Sequence, residues 1–238
     1  MQFGCAGRTF SSSRLRAPRV PGGDRNYAGR VSRWAPENVY ATAKRGLRAR
    51  VASVASGRAR ERRHVQLFAL TGVTPASRIL DVGCGRLGLR RHEPELDITG
   101  VDLTLRPDYP GPFVEANVLE GLPFADGEFD LAYCSSVIEH VAPRDREAFA
   151  RELRRVARGW FVQTPAYSFP VEPHALLPVA HWLPPRLRRA YWRLGVAGDW
   201  EQIELLRRAE MAALFGAPVA ERIGPLVKSW VSVRPPTP

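Results

Sequence analysis

The sequence predicts a doubly wound α/β sheet that binds its ligands at the carboxyl ends of the strands. Three observations carry the prediction. Residues 78–82, R-I-L-D-V, form an apolar, β-branched run that turns at once on Gly83 and Gly85. A second run, 97–101, ends in the acid Asp102. From there strand-like and helix-like stretches alternate and finish on two adjacent strand-like runs.

The glycine turn lets the backbone approach a ligand with no Cβ in the way. A carboxylate at Asp102 can accept hydrogen bonds from both hydroxyls of a ribose, so a nucleoside-like cofactor is expected. Gly83, Gly85 and Gly88 spell G-x-G-x-x-G, and spacing alone leaves a dinucleotide open. What differs is Asp81 inside the strand and Cys84 between the glycines.

I-L-D-V-G-C-G followed by G-V-D-L resembles the cofactor motif of class I S-adenosylmethionine-dependent methyltransferases. A second block, residues 121–141, supports it: G-L-P-F-A-D-G-E-F-D-L-A-Y-C-S-S-V-I-E-H-V is similar to the methyltransferase type 11 subgroup. The resemblance runs from about His64 to Arg234. It implies a Rossmann-like seven-stranded sheet of order 3-2-1-4-5-7-6 with the last strand antiparallel. It also implies S-adenosyl-L-methionine as cofactor, held by Asp81, Gly83, Cys84, Gly85, Arg86, Asp102, Leu103, Asn117, Val118, Ser135 and His140.

In order along the chain, a helix is expected over 60–70, with Val65, Phe68 and Ala69 on one face, closing one side of the cofactor cleft. Strands follow at 78–82 and 97–101, and a short third strand at 113–115. Asn117 and Val118 follow it, where an amide side chain and a backbone N–H can meet an adenine. The fourth strand, 129–134, ends at Ser135 and Ser136, and the Glu139-His140 pair opens a helix. An amphipathic helix over 144–157 carries Phe149, Leu153 and Val156 and is ended by Gly159. A fifth strand spans 160–163. Residues 208–215 read as a helix, 219–223 and 228–233 as the closing strands.

The pattern departs from its family in one place. Arg86 and Leu87 follow Gly85, and the next glycine, Gly88, comes one residue late. His92 and Pro94 limit the following helix to about two turns. Arg86 or a helix N-terminal N–H is then the candidate for the methionine carboxylate.

Methyl transfer is an in-line displacement in which the cofactor supplies the electrophile and the protein supplies alignment, desolvation and, where needed, a base. The loop after the fifth strand is long, proline-stiffened and aromatic. Tyr167, Glu172 and His174 are its polar members and the candidate substrate contacts. A neutral His174 has a pKa suited to taking a proton from a hydroxyl, which makes it the candidate catalytic residue, oriented by Glu172. No metal site is expected. Residues 166–200 form a helical cap insertion, amphipathic over 175–194, that excludes water from the transfer or meets a membrane surface. The fourth strand lacks an N/D-P-P-Y-type motif, so an oxygen acceptor on a small molecule, glycan or lipid precursor is preferred over RNA or protein.

Charge divides the 238 residues. The first 63 hold 15 of the 35 Lys+Arg and 3 of the 24 Asp+Glu, leaving 20 against 21 for the remainder. The net charge of +11 thus belongs to the N-terminal part, and nucleic-acid binding by the domain from 64 to 238 is not expected. Residues 1–36, rich in Arg, Ser, Gly and Pro, read as a disordered basic arm, and 37–63 as surface helices. Arginine is preferred throughout, with Lys44 and Lys228 the two lysines, so the arm's charge also has a compositional reading. The competing function is a non-catalytic cofactor-binding scaffold whose arm holds RNA or another polyanion. Cys5, Cys84 and Cys134 form neither an even disulfide set nor a metal-type spacing, which fits a reducing cytoplasm. Neither a spanning helix nor a secretory leader is expected, and peripheral membrane contact is left to the cap or the arm.

Overall fold

The computed structural model describes residues 63, 65–86, 88–196 and 203–237. The expected arm over 1–36 and the helices over 37–63 lie outside them, apart from Arg63, which is helical.

Seven strands form the main sheet: β1 (Arg78–Val82), β2 (Asp97–Asp102), β3 (Phe113–Glu115), β4 (Phe129–Ser135), β5 (Ala157–Pro165), β8 (Val219–Ile223) and β9 (Leu226–Arg234). Two short strands, β6 (Val171–Glu172) and β7 (Leu177–Pro178), make a separate hairpin. The main order is β3-β2-β1-β4-β5-β9-β8. Counted without the hairpin, this is the 3-2-1-4-5-7-6 order that the resemblance implies. β1 to β5 pair in parallel, and β9 runs antiparallel to both β5 and β8.

The central strands are apolar on both faces because both faces are covered. Successive side chains alternate. Leu80, Val82, Ala132, Cys134 and Val162 pack on one side. Helices α2 (Arg146–Val156) and α4 (Arg208–Phe215) cover that face with Phe149, Leu153 and Val156 and with Met211, Leu214 and Phe215. Ile79, Leu131, Tyr133 and Phe161 point the other way, against Leu67 of helix α1 (65–71).

Several local expectations change. In α1, Leu67 and Thr71 face inward while Val65, Phe68 and Ala69 are exposed. Residues 67 and 71 lie one turn apart and share the face toward the sheet, and the Thr71 hydroxyl donates back to the Leu67 carbonyl at 2.6 Å. Gly159 does not end α2. The helix stops at Val156 and β5 begins at Ala157. Gly159 sits inside the strand because a Cβ there would lie 2.5 Å from the Arg234 carbonyl oxygen. The segment after Gly85 contains a single 3-10 turn, Leu89–Arg91, where about two helical turns were expected. Ile138–His140 is likewise one 3-10 turn, and α2 starts only at Arg146.

The insertion after β5 is only partly helical. It comprises the β6–β7 hairpin, a 3-10 turn at Ala180–Trp182 and α3 (Pro185–Trp192). It buries its own small core of Ala175, Leu177, Ala180, Trp192, Ile203 and Leu205. Among the described residues, no helix is long and apolar enough to cross a membrane.

Candidate active site

The loop between β1 and β2 is held from two sides. Asp81, 3% exposed, turns its carboxylate out of β1 and accepts the Leu89 N–H at 2.6 Å. Gly88 passes over that carboxylate: a Cβ at Gly88 would lie 2.1 Å from Asp81 Oδ2, and its φ of +51° and ψ of −152° belong to glycine. The late third glycine thus has a physical reason. Gly83 and Gly85 also have positive φ, and the N–H groups of Gly83 and Cys84 both donate to the Val101 carbonyl. Burial, then the charge of Asp102, raises the Asp81 pKa from 3.8 to about 7, against the hydrogen bond from Leu89. Burial, followed by the charges of Asp81 and Asp102, pushes the Cys84 thiol well above its ordinary value. Cys84 is thus a packed side chain, 6% exposed.

Asp102 closes the loop from β2. Its Oδ2 accepts the Gly85 N–H at 2.9 Å, and its Oδ1 accepts from the Thr104 N–H at 3.2 Å and Arg106 Nη2 at 3.3 Å. A carboxylate offers about four lone-pair sites, and these three donors take most of them. Arg106 was not among the residues singled out from sequence. Its spacing four residues after Asp102 was the available signal. Arg86 is exposed and bridges to Asp108 at 3.3 Å, beside a hollow that Leu105, Arg106 and Pro107 also line. Leu103 is exposed at the strand end.

Asn117 lies at the end of β3, where its side chain accepts the Leu119 N–H and donates to Glu120, capping a 3-10 turn over Val118–Glu120. The Val118 side chain is in the core, so its contribution to a ligand is confined to its backbone.

At the carboxyl ends of β4 and β5, Ser135 and Ser136 both donate to Gln163 Oε1, at 2.8 and 3.2 Å. Arg63 reaches Ser135 Oγ from the N-terminal side at 3.2 Å. Ser136 holds a φ of +58°, unusual for a residue with a side chain. Gln163 is fully buried, and its Nε2 is without a hydrogen-bond partner. Arg63 and Gln163 were not recognised from sequence, because only the strand register sets residue 163 beside residue 135.

The strongest constellation joins two of the expected substrate residues to the Glu139-His140 pair. His174 Nδ1 lies 2.7 Å from Glu172 Oε1, and Glu172 Oε2 accepts the Ala175 N–H. Burial alone would raise the Glu172 pKa, but the hydrogen bond and charge of His174 and the backbone donors outweigh it and hold the group below its usual value. A carboxylate only accepts, so His174 Nδ1 carries a hydrogen and Nε2 is turned the other way. That atom faces Glu139 Oε1 at 3.9 Å. Glu139 is 1% exposed; its other oxygen accepts from Thr164 Oγ1 at 3.0 Å, and Oε1 has no hydrogen-bond partner. The His140 ring stands edge-on to His174 at 5.1 Å. This cluster adjoins the cofactor loop through Val137, against which a Cβ on Gly83 would lie 2.4 Å away.

Tyr167 is placed elsewhere. It lines a cleft of about 540 Å3 with Pro143, Trp182, Arg188 and Glu204. The Arg207 guanidinium covers its ring at 3.9 Å, and its carbonyl meets His181 Nε2 and Trp182 Nε1 at 2.9 Å each.

Residues 80–161 match the family model described as a methyltransferase domain, from β1 into β5. A probable methyltransferase of Aspergillus luteorubrus, ltbC, is 29% identical over 113 residues, covering 38% of this chain and 40% of that protein. The alignment thus spans less than half of that relative. A Pyrococcus horikoshii OT3 protein of known structure covers 90% of this chain and 100% of its own at 16% identity, with a TM-score of 0.52. A methyltransferase of Methanosarcina mazei is 15% identical over 68% of this chain and 92% of its own, at a TM-score of 0.47. Residues 80–161 thus match a methyltransferase domain, and the sheet has the strand order that the resemblance to class I S-adenosylmethionine-dependent methyltransferases implies. S-adenosyl-L-methionine is the cofactor of that class.

Proposed function

We propose that this chain transfers the methyl group of S-adenosylmethionine to an oxygen of a small-molecule acceptor, with glycan and lipid precursors inside that class. One observation carries the reading: the buried Glu172–His174 pair lies against Glu139, two residues from the Val137 side chain that packs on Gly83. In this reading Gly83, Gly85 and Asp102 seat the nucleoside, and Arg86 or a loop N–H takes the methionine carboxylate. His174 Nε2 accepts the hydroxyl proton as oxygen attacks the sulfonium methyl. The new carbon–oxygen bond forms as the carbon–sulfur bond breaks, S-adenosylhomocysteine leaves, and the proton stays on His174 until solvent takes it. Glu172 fixes the tautomer and stabilises the imidazolium.

The test is transfer of a labelled methyl from the cofactor into a cell extract, with products separated and the methylated atom assigned. The expected result is a labelled O-methyl product that fails to appear with Asp102→Ala. Label on nitrogen would retire the oxygen acceptor. Absence of any label, with cofactor demonstrably bound, would retire the enzyme reading.

A further inference from the structure

The Glu139–His140–His174 cluster has more order than a proton acceptor requires. Each residue offers one ligand atom, and these atoms all lie within 4.8 Å of one another. They arrive from two parts of the chain: the 3-10 turn after β4 and the hairpin after β5. Glu139 Oε1 is buried without a hydrogen-bond partner, with His174 Nε2 as the group that faces it. His174 carries the orienting bond typical of metal-ligating histidines, its far nitrogen tied to a carboxylate, here Glu172. The 3.9 Å from His174 Nε2 to Glu139 Oε1 is too long for a hydrogen bond. Two ligands at about 2.0–2.2 Å from one ion can span that distance.

We infer that Glu139, His140 and His174 form a binding site for a divalent transition-metal ion, with Glu172 as the positioning residue behind His174. Two imidazoles and one carboxylate suit zinc, manganese or iron(II) and leave coordination positions open. A cation and a proton are alternatives for the same Nε2 lone pair. With the ion bound, His174 is a ligand, and the open positions take acceptor oxygen, whose proton passes to solvent as the ion lowers its pKa. This role for the ion rests on the proposed methyl transfer, whereas the ion site itself does not.

The experiment uses the full chain, stripped with chelator and titrated with Co2+ as a spectroscopic probe, with S-adenosylhomocysteine binding measured on the same preparation. The expected result is one equivalent of Co2+ with visible d–d bands. Glu139→Gln, which keeps an acceptor for Thr164, and His174→Ala abolish the bands. Glu172→Gln weakens binding about 10–100-fold, and the exposed His92→Ala leaves it unchanged. No stoichiometric Co2+ binding, or bands that survive in both Glu139→Gln and His174→Ala, overturns the site. S-adenosylhomocysteine binding without Co2+ retires the ion and spares the methyltransferase. Co2+ bound without that ligand supports the ion site and retires the transfer.

Discussion

Replacing Gly88 by alanine tests whether the late glycine is a structural requirement of the cofactor loop. The new Cβ would sit 2.1 Å from Asp81 Oδ2 and 3.0 Å from Cys84. Asp81 lies in a packed strand and is 3% exposed, so its carboxylate cannot simply swing into water. Retreat by about 1 Å carries it out of the 2.6 Å bond to Leu89 N–H. A buried donor left without its partner costs about 1–3 kcal/mol. The backbone adds about 1–3 kcal/mol, because φ +51° with ψ −152° is a region nearly exclusive to glycine. The loop relieves this sum of roughly 2–6 kcal/mol by changing shape. At about 1.4 kcal/mol per tenfold, even the lower bound weakens cofactor binding by roughly thirtyfold. Calorimetric titration with S-adenosylhomocysteine measures the loss, and urea unfolding reports the shared stability cost. Affinity within twofold of the parent chain, with an unchanged unfolding midpoint, would refute the argument that Gly88 and Asp81 jointly set the loop.

Three further outcomes are expected. The Asp81 carboxyl rises from 3.8 to about 7 on folding, so its contribution to stability is present below the unfolded value and is lost as pH climbs through about 7. Urea midpoints should therefore fall from pH 5 to pH 8, and Asp81→Asn should flatten that slope; parallel slopes would sink the assignment. Gly159→Ala pushes a methyl group to 2.5 Å from the Arg234 carbonyl and 2.7 Å from Pro236 N. It should destabilise the chain by about 1–3 kcal/mol, and a neutral thermal midpoint would show that residues 234–236 give way freely. Glu172→Gln removes the charge behind His174 and should lower kcat by about tenfold or more with the KM for cofactor unchanged. A change confined to KM would make Glu172 a binding group only.

The parts legible in sequence were those written locally. The β1 run, its glycine turn and the acid ending β2 lie within 25 residues, and strong local patterns fixed them. Side chains that meet across the sheet were another matter. Gln163 and Ser135 meet through strand register, Arg63 reaches Ser135 from outside the sheet, and Glu139 meets His174 only after β5 and the cap hairpin are in place. The Glu-His pair and the E-P-H loop were each visible, but their juxtaposition is tertiary. Gly159 looked like a helix stop because glycine does that work often, and the chain crossing at 234–236 is invisible locally. The cap was misread as wholly helical because two-residue strands leave no period to detect, and Leu176 and Val179 adopt positive φ against their own preference.

The central claim is that the loop bounded by Asp81 and Asp102 seats S-adenosylmethionine. Titrating the purified chain with S-adenosylhomocysteine, alongside Asp102→Ala, tests it most directly. One-to-one micromolar binding that drops at least about thirtyfold when the carboxylate is removed, a loss of about 2 kcal/mol for a charge-assisted bond, is the predicted result. Absence of binding by the parent chain, or equal binding by the variant, would contradict it.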